Sequence, residues 1–175
     1  MAVEVSIRPC TPSDKLTLMD MVNKVYSQCE GYLWVEGHKR ITSETYEGYY
    51  TAKNLVVALK DEVIVGCVVI NEIDRDTKGV SMLVVNPEYR RQGIGRKLVD
   101  YIVQCARKAD CAKVRVELLY SRHSEDKWKL MLRGWYTSLG FEFVKNDDFS
   151  KYFPGDMLSA LVVETTFSIF EKPLK

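Results

Sequence analysis

A β-branched run, Val80-Ser-Met-Leu-Val-Val85, ends at Asn86-Pro87, because proline removes a ladder donor and biases its predecessor away from helix. From Gly93 the period changes. Ile94, Leu98, Ile102 and Cys105/Ala106 fall at helical spacing, while Arg96, Lys97, Asp100, Gln104, Arg107 and Lys108 occupy the opposite face. Lys113-Val-Arg-Val-Glu-Leu-Leu119 then alternates as a strand. Strand, basic turn, amphipathic helix and strand in direct succession commit the chain to a mixed α/β sheet.

The flanking segments extend that pattern. Glu4 to Arg8 alternates polar and apolar and leads through Pro9 and Thr11-Pro12-Ser-Asp14 into a helix reaching about Cys29. Gly31 to Gly48 is irregular, with Thr42 or Ser43 placed to cap a short helix toward Tyr50. Asn54–Lys60 and Val63–Ile70, joined by Asp61-Glu62, read as a hairpin without the favoured glycine. Past Leu119 a helix is expected from about Ser124 to Leu139, stopped at Gly140, followed by closing strands over Phe141–Val144 and Ala160–Phe170. No internal repeat or low-complexity linker divides the chain, so residues 1–175 are expected to form a single domain.

Composition excludes several classes. Lys+Arg 25 against Asp+Glu 24 leaves a net charge of +1, so no bulk attraction favours nucleic acid, and any anion site has to be local. The longest apolar run, Val63–Ile70, is far short of the roughly 20 residues a membrane helix needs. With no basic-then-apolar leader pattern, no membrane association and a cytoplasmic location are expected. Cysteines at 10, 29, 67, 105 and 111 form no CxxC pair and read as reduced thiols; His38 and His123 lack partners at ligand spacing, so no metal is expected.

Chemistry points to the turn before the amphipathic helix. Gly93 and Gly95 permit close backbone approach, the helix start presents unpaired N–H groups, and Arg90, Arg91 and Arg96 add positive charge, a combination suited to a pyrophosphate. Taken alone, Gly-x-Gly fits a solvated basic turn equally well. A Walker A loop is absent, and a dinucleotide fingerprint needs a small residue where Leu98 stands.

The run Leu83-Val-Val-Asn-Pro-Glu-Tyr-Arg-Arg-Gln-Gly-Ile-Gly-Arg96 resembles motif A of the GNAT superfamily of N-acetyltransferases, with Arg90-x-x-Gly93-x-Gly95 matching its R/Q-x-x-G-x-G/A pattern. Trp135-Tyr-Thr-Ser-Leu-Gly-Phe141 resembles the family's Y-x-x-x-G-F, and Phe170-Glu-Lys-Pro-Leu174 is similar to its last strand. The resemblance implies a GNAT-like mixed, mostly antiparallel sheet of six to seven strands flanked by about four helices. It also implies acetyl-CoA as co-substrate. Backbone groups of Leu83, Val84 and Val85 would pair with the pantetheine arm, and Arg90, Arg91, Gln92, Gly93, Ile94, Gly95 and Arg96 would hold the pyrophosphate. Tyr136 matches the family's acid. Lys129 and Leu132 depart from the Asn and Ala commonly found seven and four residues before that tyrosine.

The implied reaction is direct attack of a primary amine on the thioester. A lysine-like amine is neutral in only about one molecule in 2,500 at pH 7, so a base or water relay is required. Glu117 and Glu72 are the carboxylates best placed by order along the chain. Acceptor selection is expected in Tyr26–Tyr50 and Lys145–Met157, where Tyr32, Trp34, Glu36, Glu44, Glu47, Asp147, Asp148, Phe149, Tyr152 and Asp156 mix rings with carboxylates suited to a cation. The acceptor is either a small molecule or a peptide, and a homodimer is left open. The competing classes are a non-catalytic acyl-CoA-binding module and a nucleic-acid-binding protein; the near-zero net charge argues against the second.

Overall fold

The computed structural model describes residues 4–153 and 155–175. The chain runs β1 (Ser6–Pro9), α1 (Lys15–Glu30), α2 (Ser43–Ala52), β2 (Leu55–Lys60), β3 (Val63–Asp74), β4 (Thr77–Val85) and α3 (Ile94–Lys108). It continues through β5 (Lys113–Ser121), α4 (Lys127–Ser138), β6 (Glu142–Asp147), α5 (Gly155–Ser159) and β7 (Thr165–Pro173). The strands form one sheet in the order β1-β2-β3-β4-β5-β7-β6. Every neighbouring pair is antiparallel except β4–β5, which is parallel because α3 carries the chain across between them. The mixed, mostly antiparallel sheet of six to seven strands that the resemblance implies is therefore the observed architecture, with seven strands and with five α-helices rather than about four among the described residues.

Hydrophobic layers cover both faces. On one face α3 buries Ile94, Leu98, Val99 and Ile102 against Val56, Val65, Val68 and Val80, joined by Tyr136 and Phe141 from the α4 end. On the other, Leu18, Met21, Val22 and Val25 of α1 pack with Tyr46 of α2 onto Leu55, Val57, Cys67 and Val69. Strand β2 is buried on both sides over Leu55–Leu59, which explains why it reads as a continuous apolar run. A third cluster, Leu33, Trp34, Leu119, Phe149, Phe167 and Ile169, sits under the segments after α1 and β6.

Local chemistry accounts for the element boundaries. Thr42 caps α2 by accepting from the Thr45 N–H, and Asp126 caps α4 by accepting from Trp128 and Lys129. Asp61 and Glu62 both adopt left-handed φ (49° and 61°), the geometry of a tight hairpin turn, here achieved without glycine. The sequence placed the start of α4 three residues early. It also stopped β3 and β5 short, because polar residues, Asn71, Glu72 and Asp74 in β3 and Ser121 in β5, interrupt the apolar pattern there. The segment after β6 is more structured than expected, with a helical turn at Phe149–Lys151 and the short α5.

Candidate active site

The parallel pairing of β4 and β5 extends only from Thr77↔Lys113 to Val80↔Val116. Beyond it β5 continues along β7 to Ser121, and β4 continues along β3 to Val85. The sheet is therefore split, and the backbone edge of Ser81–Val85 on the β5 side is free of strand pairing. A bulge accompanies the split: Met82 and Leu83 lie opposite the single residue Val68, and Met82 is left-handed at φ 50°. The bulge breaks the two-residue alternation. Val80 and Leu83 face the α3 layer, whereas Met82 and Val84 face the α1 layer.

At the far end of β4 the chain turns through Pro87–Tyr89 and enters α3. Arg91 (φ 62°) and Gly93 (φ 78°) are left-handed on either side of Gln92. Interspersing left-handed residues in this way lets successive backbone N–H groups converge on an anion. The first helical bond runs from the Lys97 N–H to the Gly93 carbonyl, which leaves the N–H groups of Ile94, Gly95 and Arg96 outside the helical ladder. The helix start lies flat on the sheet because Gly66 has no side chain: a Cβ there would stand 2.8 Å from the Val84 carbonyl oxygen and 3.2 Å from Ile94. Arg91 and Arg96 are exposed. Arg90 lies 4.7 Å over the Trp128 ring, and Gln92 accepts a 2.9 Å hydrogen bond from Lys60.

A cavity of about 170 Å³ fills the split. Helix α4 presents Lys129, Leu132 and Tyr136 to it at helical spacing, and β5 contributes Glu117. Tyr136 is buried, and its hydroxyl makes no hydrogen bond to any described residue. Burial pushes its phenol far above the usual range, with the nearby Tyr26 adding to the effect. Glu117 likewise has no ion-pair or hydrogen-bond partner among the described residues. Burial raises its carboxyl above the ordinary value, and Arg115 only partly opposes this. Burial also pushes the Tyr26 phenol up to about 12.

Lys129 forms a buried ion pair with Glu30 at the end of α1. Beside it Tyr32 donates a 2.5 Å hydrogen bond to Asp126, so the end of α1 is tied to the start of α4 on one side of the cavity. Arg40 enters the cavity from the segment before α2. Its guanidinium lies 5.2 Å over the Tyr26 ring and 3.4 Å from the Ser81 hydroxyl.

Of the residues singled out from the sequence, Tyr136, Glu117 and Leu83 share this cavity, and Arg90–Arg96 lie at the adjoining helix start. Glu72 does not reach it: it stands at the outer end of the β3–β4 hairpin, paired with Lys78. The two expected acceptor segments do meet. Trp34 bridges to Leu161 and packs edge-on against Phe149 at 6.1 Å; position 154 of the second segment lies outside the described residues.

Several acidic groups of those segments are engaged elsewhere, while Glu36 lines the open hollow beside α1. Glu47 pairs with Lys15 at 2.6 Å, and Asp147 binds Lys145, Lys151 and Tyr152. Asp148 accepts from the Ser150 N–H, and Glu44 lies in the first turn of α2. Sequence reasoning missed Glu30 and Arg40, which meet Lys129 and Ser81, 99 and 41 positions away, only in the fold. Among the described residues no group of three His, Cys, Asp or Glu side chains gathers as a metal site, and no helix is long and apolar enough to cross a membrane.

A split α/β sheet, a glycine-turned helix start beside the split and a cavity holding an unpaired tyrosine and glutamate define the class of an acyltransferase. The acetyltransferase (GNAT) domain model matches residues 51–143, and the chain belongs to that family. Solved structures of the same fold include N-acetylglutamate synthase from Neisseria gonorrhoeae, complexed with coenzyme A and N-acetyl-glutamate (TM-score 0.70, 18% identity, 98% of this chain and 35% of that one). This chain thus spans about a third of that synthase. Two others are matched over nearly their whole length. Ribosomal-protein-alanine N-acetyltransferase from Brucella melitensis gives a TM-score of 0.69 at 18% identity, covering 97% of this chain and 99% of that one. A GNAT family acetyltransferase from Elizabethkingia anophelis with acetyl-CoA bound gives 0.65 at 18%, covering 97% and 98%. No curated protein matches the sequence.

Proposed function

We propose that residues 1–175 form one N-acetyltransferase domain that moves acetyl from acetyl-CoA to a primary amine by direct attack. The observation that carries the reading is the split between β4 and β5, whose cavity is lined by Tyr136, Glu117 and the unpaired edge of β4. The residues present fit the co-substrate. The free edge of Ser81–Val85 offers backbone groups to the amides of the pantetheine arm. The left-handed turn at Arg91 and Gly93, with the N–H groups of Ile94 to Arg96, suits a pyrophosphate. Acetyl-CoA supplies an activated thioester.

Within that frame Glu117 takes the proton from the attacking amine as the N–C bond forms and the C–S bond breaks. Its raised pKa makes the carboxylate a stronger base than an exposed one. Tyr136 keeps its proton at any working pH. Complete transfer to a thiolate of pKa near 8.5 costs about 2 kcal/mol even from an unshifted phenol, so Tyr136 serves as a hydrogen-bond donor to sulfur during cleavage. Backbone N–H groups along the free edge of β4 are available to polarise the thioester oxygen.

Thermal unfolding with acetyl-CoA, ATP and NADH tests the reading. Ligand at 100 times its Kd adds about 2.7 kcal/mol, and a rise of roughly 5–10 °C specific to acetyl-CoA is expected. No rise at millimolar acetyl-CoA would remove the pyrophosphate site and the reading with it. Amine-dependent release of free thiol then separates an enzyme from a silent binding module. In that assay Tyr136→Phe is expected to lower kcat about 10- to 100-fold, as for loss of one positioned proton donor; unchanged turnover across the pH range would discard the role of Tyr136.

A further inference from the structure

Arg40 is a half-buried guanidinium with no acidic partner among the described residues. Glu30, the acid whose field it feels, is already paired with Lys129. What holds Arg40 in place is neutral: the Tyr26 ring face at 5.2 Å, the Ser81 hydroxyl at 3.4 Å and the neighbouring Tyr49 phenol. An uncompensated cation withdrawn from water is costly unless a ligand supplies the countercharge, and a guanidinium offers a planar fork that matches a carboxylate with two parallel hydrogen bonds.

Its position is equally informative. Tyr26, Trp34 and Arg40 line both the cavity and a larger open hollow of about 1050 Å³ between α1 and the segment before α2. Arg40 therefore stands where that hollow meets the chamber containing Glu117. His38 stacks on Trp34 at 4.4 Å in the same passage, and burial together with the charge of Arg40 holds its imidazole below its usual pKa. Because Glu30 and Lys129 cancel, Glu117 and Arg40 are, among the described residues, the two uncompensated groups the cavity presents, one acidic and one basic.

We propose that Arg40 binds a carboxylate of the acceptor, so that the acceptor is an amino acid whose amine lies toward Glu117 and whose carboxylate lies on the Arg40 guanidinium. The inference rests on the acetyltransferase reading above and deepens it. A peptide N-terminus, in contrast, carries no carboxylate adjoining its amine.

The test compares each proteinogenic amino acid with its decarboxylated amine, lysine with cadaverine or tyrosine with tyramine, by thiol release from acetyl-CoA. For the preferred acceptor kcat/KM is expected to exceed that of the matched amine by about 100-fold, the scale of one desolvated guanidinium–carboxylate pair. Arg40→Met is expected to erase the difference within the pair, and Arg40→Lys to retain part of it, with melting curves confirming that both variants fold. Amines that match or exceed their amino acids in every pair would overturn the proposal, as would a preference that survives Arg40→Met or turnover confined to peptide N-termini. A second readout keeps the two readings separable. If acetyl-CoA raises the melting temperature and no amine of either series is acetylated, the failure belongs to the catalytic reading. Amino-acid stabilisation of the acetyl-CoA-loaded protein then still reports on Arg40, and its absence, or its persistence in Arg40→Met, would overturn the proposal.

Discussion

Lys129→Met is expected to lower the melting temperature by about 6–20 °C, the largest effect on stability that any single polar contact in this fold predicts. The Lys129 side chain is 6% exposed and that of Glu30 is 14% exposed. Removing the ammonium leaves a largely buried carboxylate without its partner, in a cavity lined by Val25, Leu132 and Tyr136. Breaking such a buried pair costs about 3–5 kcal/mol, whereas replacing both members by neutral groups of similar shape is close to neutral. The double variant Glu30→Gln/Lys129→Met should therefore recover most of the loss, and calorimetry of the two singles and the double gives the coupling directly. A single variant that melts within about 2 °C of the parent would mean that the pair is solvated and contributes little. The pair also ties the end of α1 to α4, so its loss should loosen the wall that presents Lys129, Leu132 and Tyr136.

Glu117→Gln is expected to reduce kcat/KM by about 100- to 10,000-fold, the range for removing a positioned general base. The pH profile identifies the role. Burial raises the folded-state pKa of Glu117 above the ordinary carboxylate value, so activity should climb with pH through a limb displaced upward from that value, and the limb should vanish in the Gln variant. Stability moves in the opposite direction. The folded protein holds this proton more tightly than the unfolded chain does, so the associated stabilisation is complete below the unfolded pKa and is lost as pH rises through the folded one. Glu117→Gln should abolish that contribution, flattening the pH dependence of the melting temperature over the same window. A Gln variant that keeps full activity and an unchanged acidic limb would pass the base role to a water relay.

The split sheet, the bulged strand and the turn before α3 were legible in the sequence to different degrees. The turn was readable because its physics is local: Asn86-Pro87 stops β4, Gly93 supplies a left-handed φ, and the 3.6-residue period from Ile94 fixes the face that α3 buries. Tyr136 was singled out instead by the resemblance of Trp135–Phe141 to the family's Y-x-x-x-G-F, and the fold adds its neighbours. It stands seven residues beyond Lys129 and four beyond Leu132, and helical spacing puts all three on one face. The bulge was not readable, because Val80-Ser-Met-Leu-Val-Val85 is apolar except at Ser81 and gives no sign that alternation slips at Met82. Composition also suggested carboxylates around the acceptor. The fold instead commits Glu47 to Lys15 and Asp147 to Lys145 and Lys151, because neighbouring lysines reach them before any ligand would.

Elements whose cause lies within a few residues, namely caps, turns, helical periods and the glycine-turned helix start, were determined by the order of amino acids, since backbone sterics and side-chain spacing act locally. What only the tertiary structure decided is the meeting of distant groups: β4 parting from β5 after Val80, Glu30 finding Lys129, and Arg40 standing beside Ser81 at the mouth of the Glu117 chamber. Such meetings follow from packing of whole layers, in which apolar burial fixes the positions of helices and strands and the polar side chains take the partners that burial leaves them.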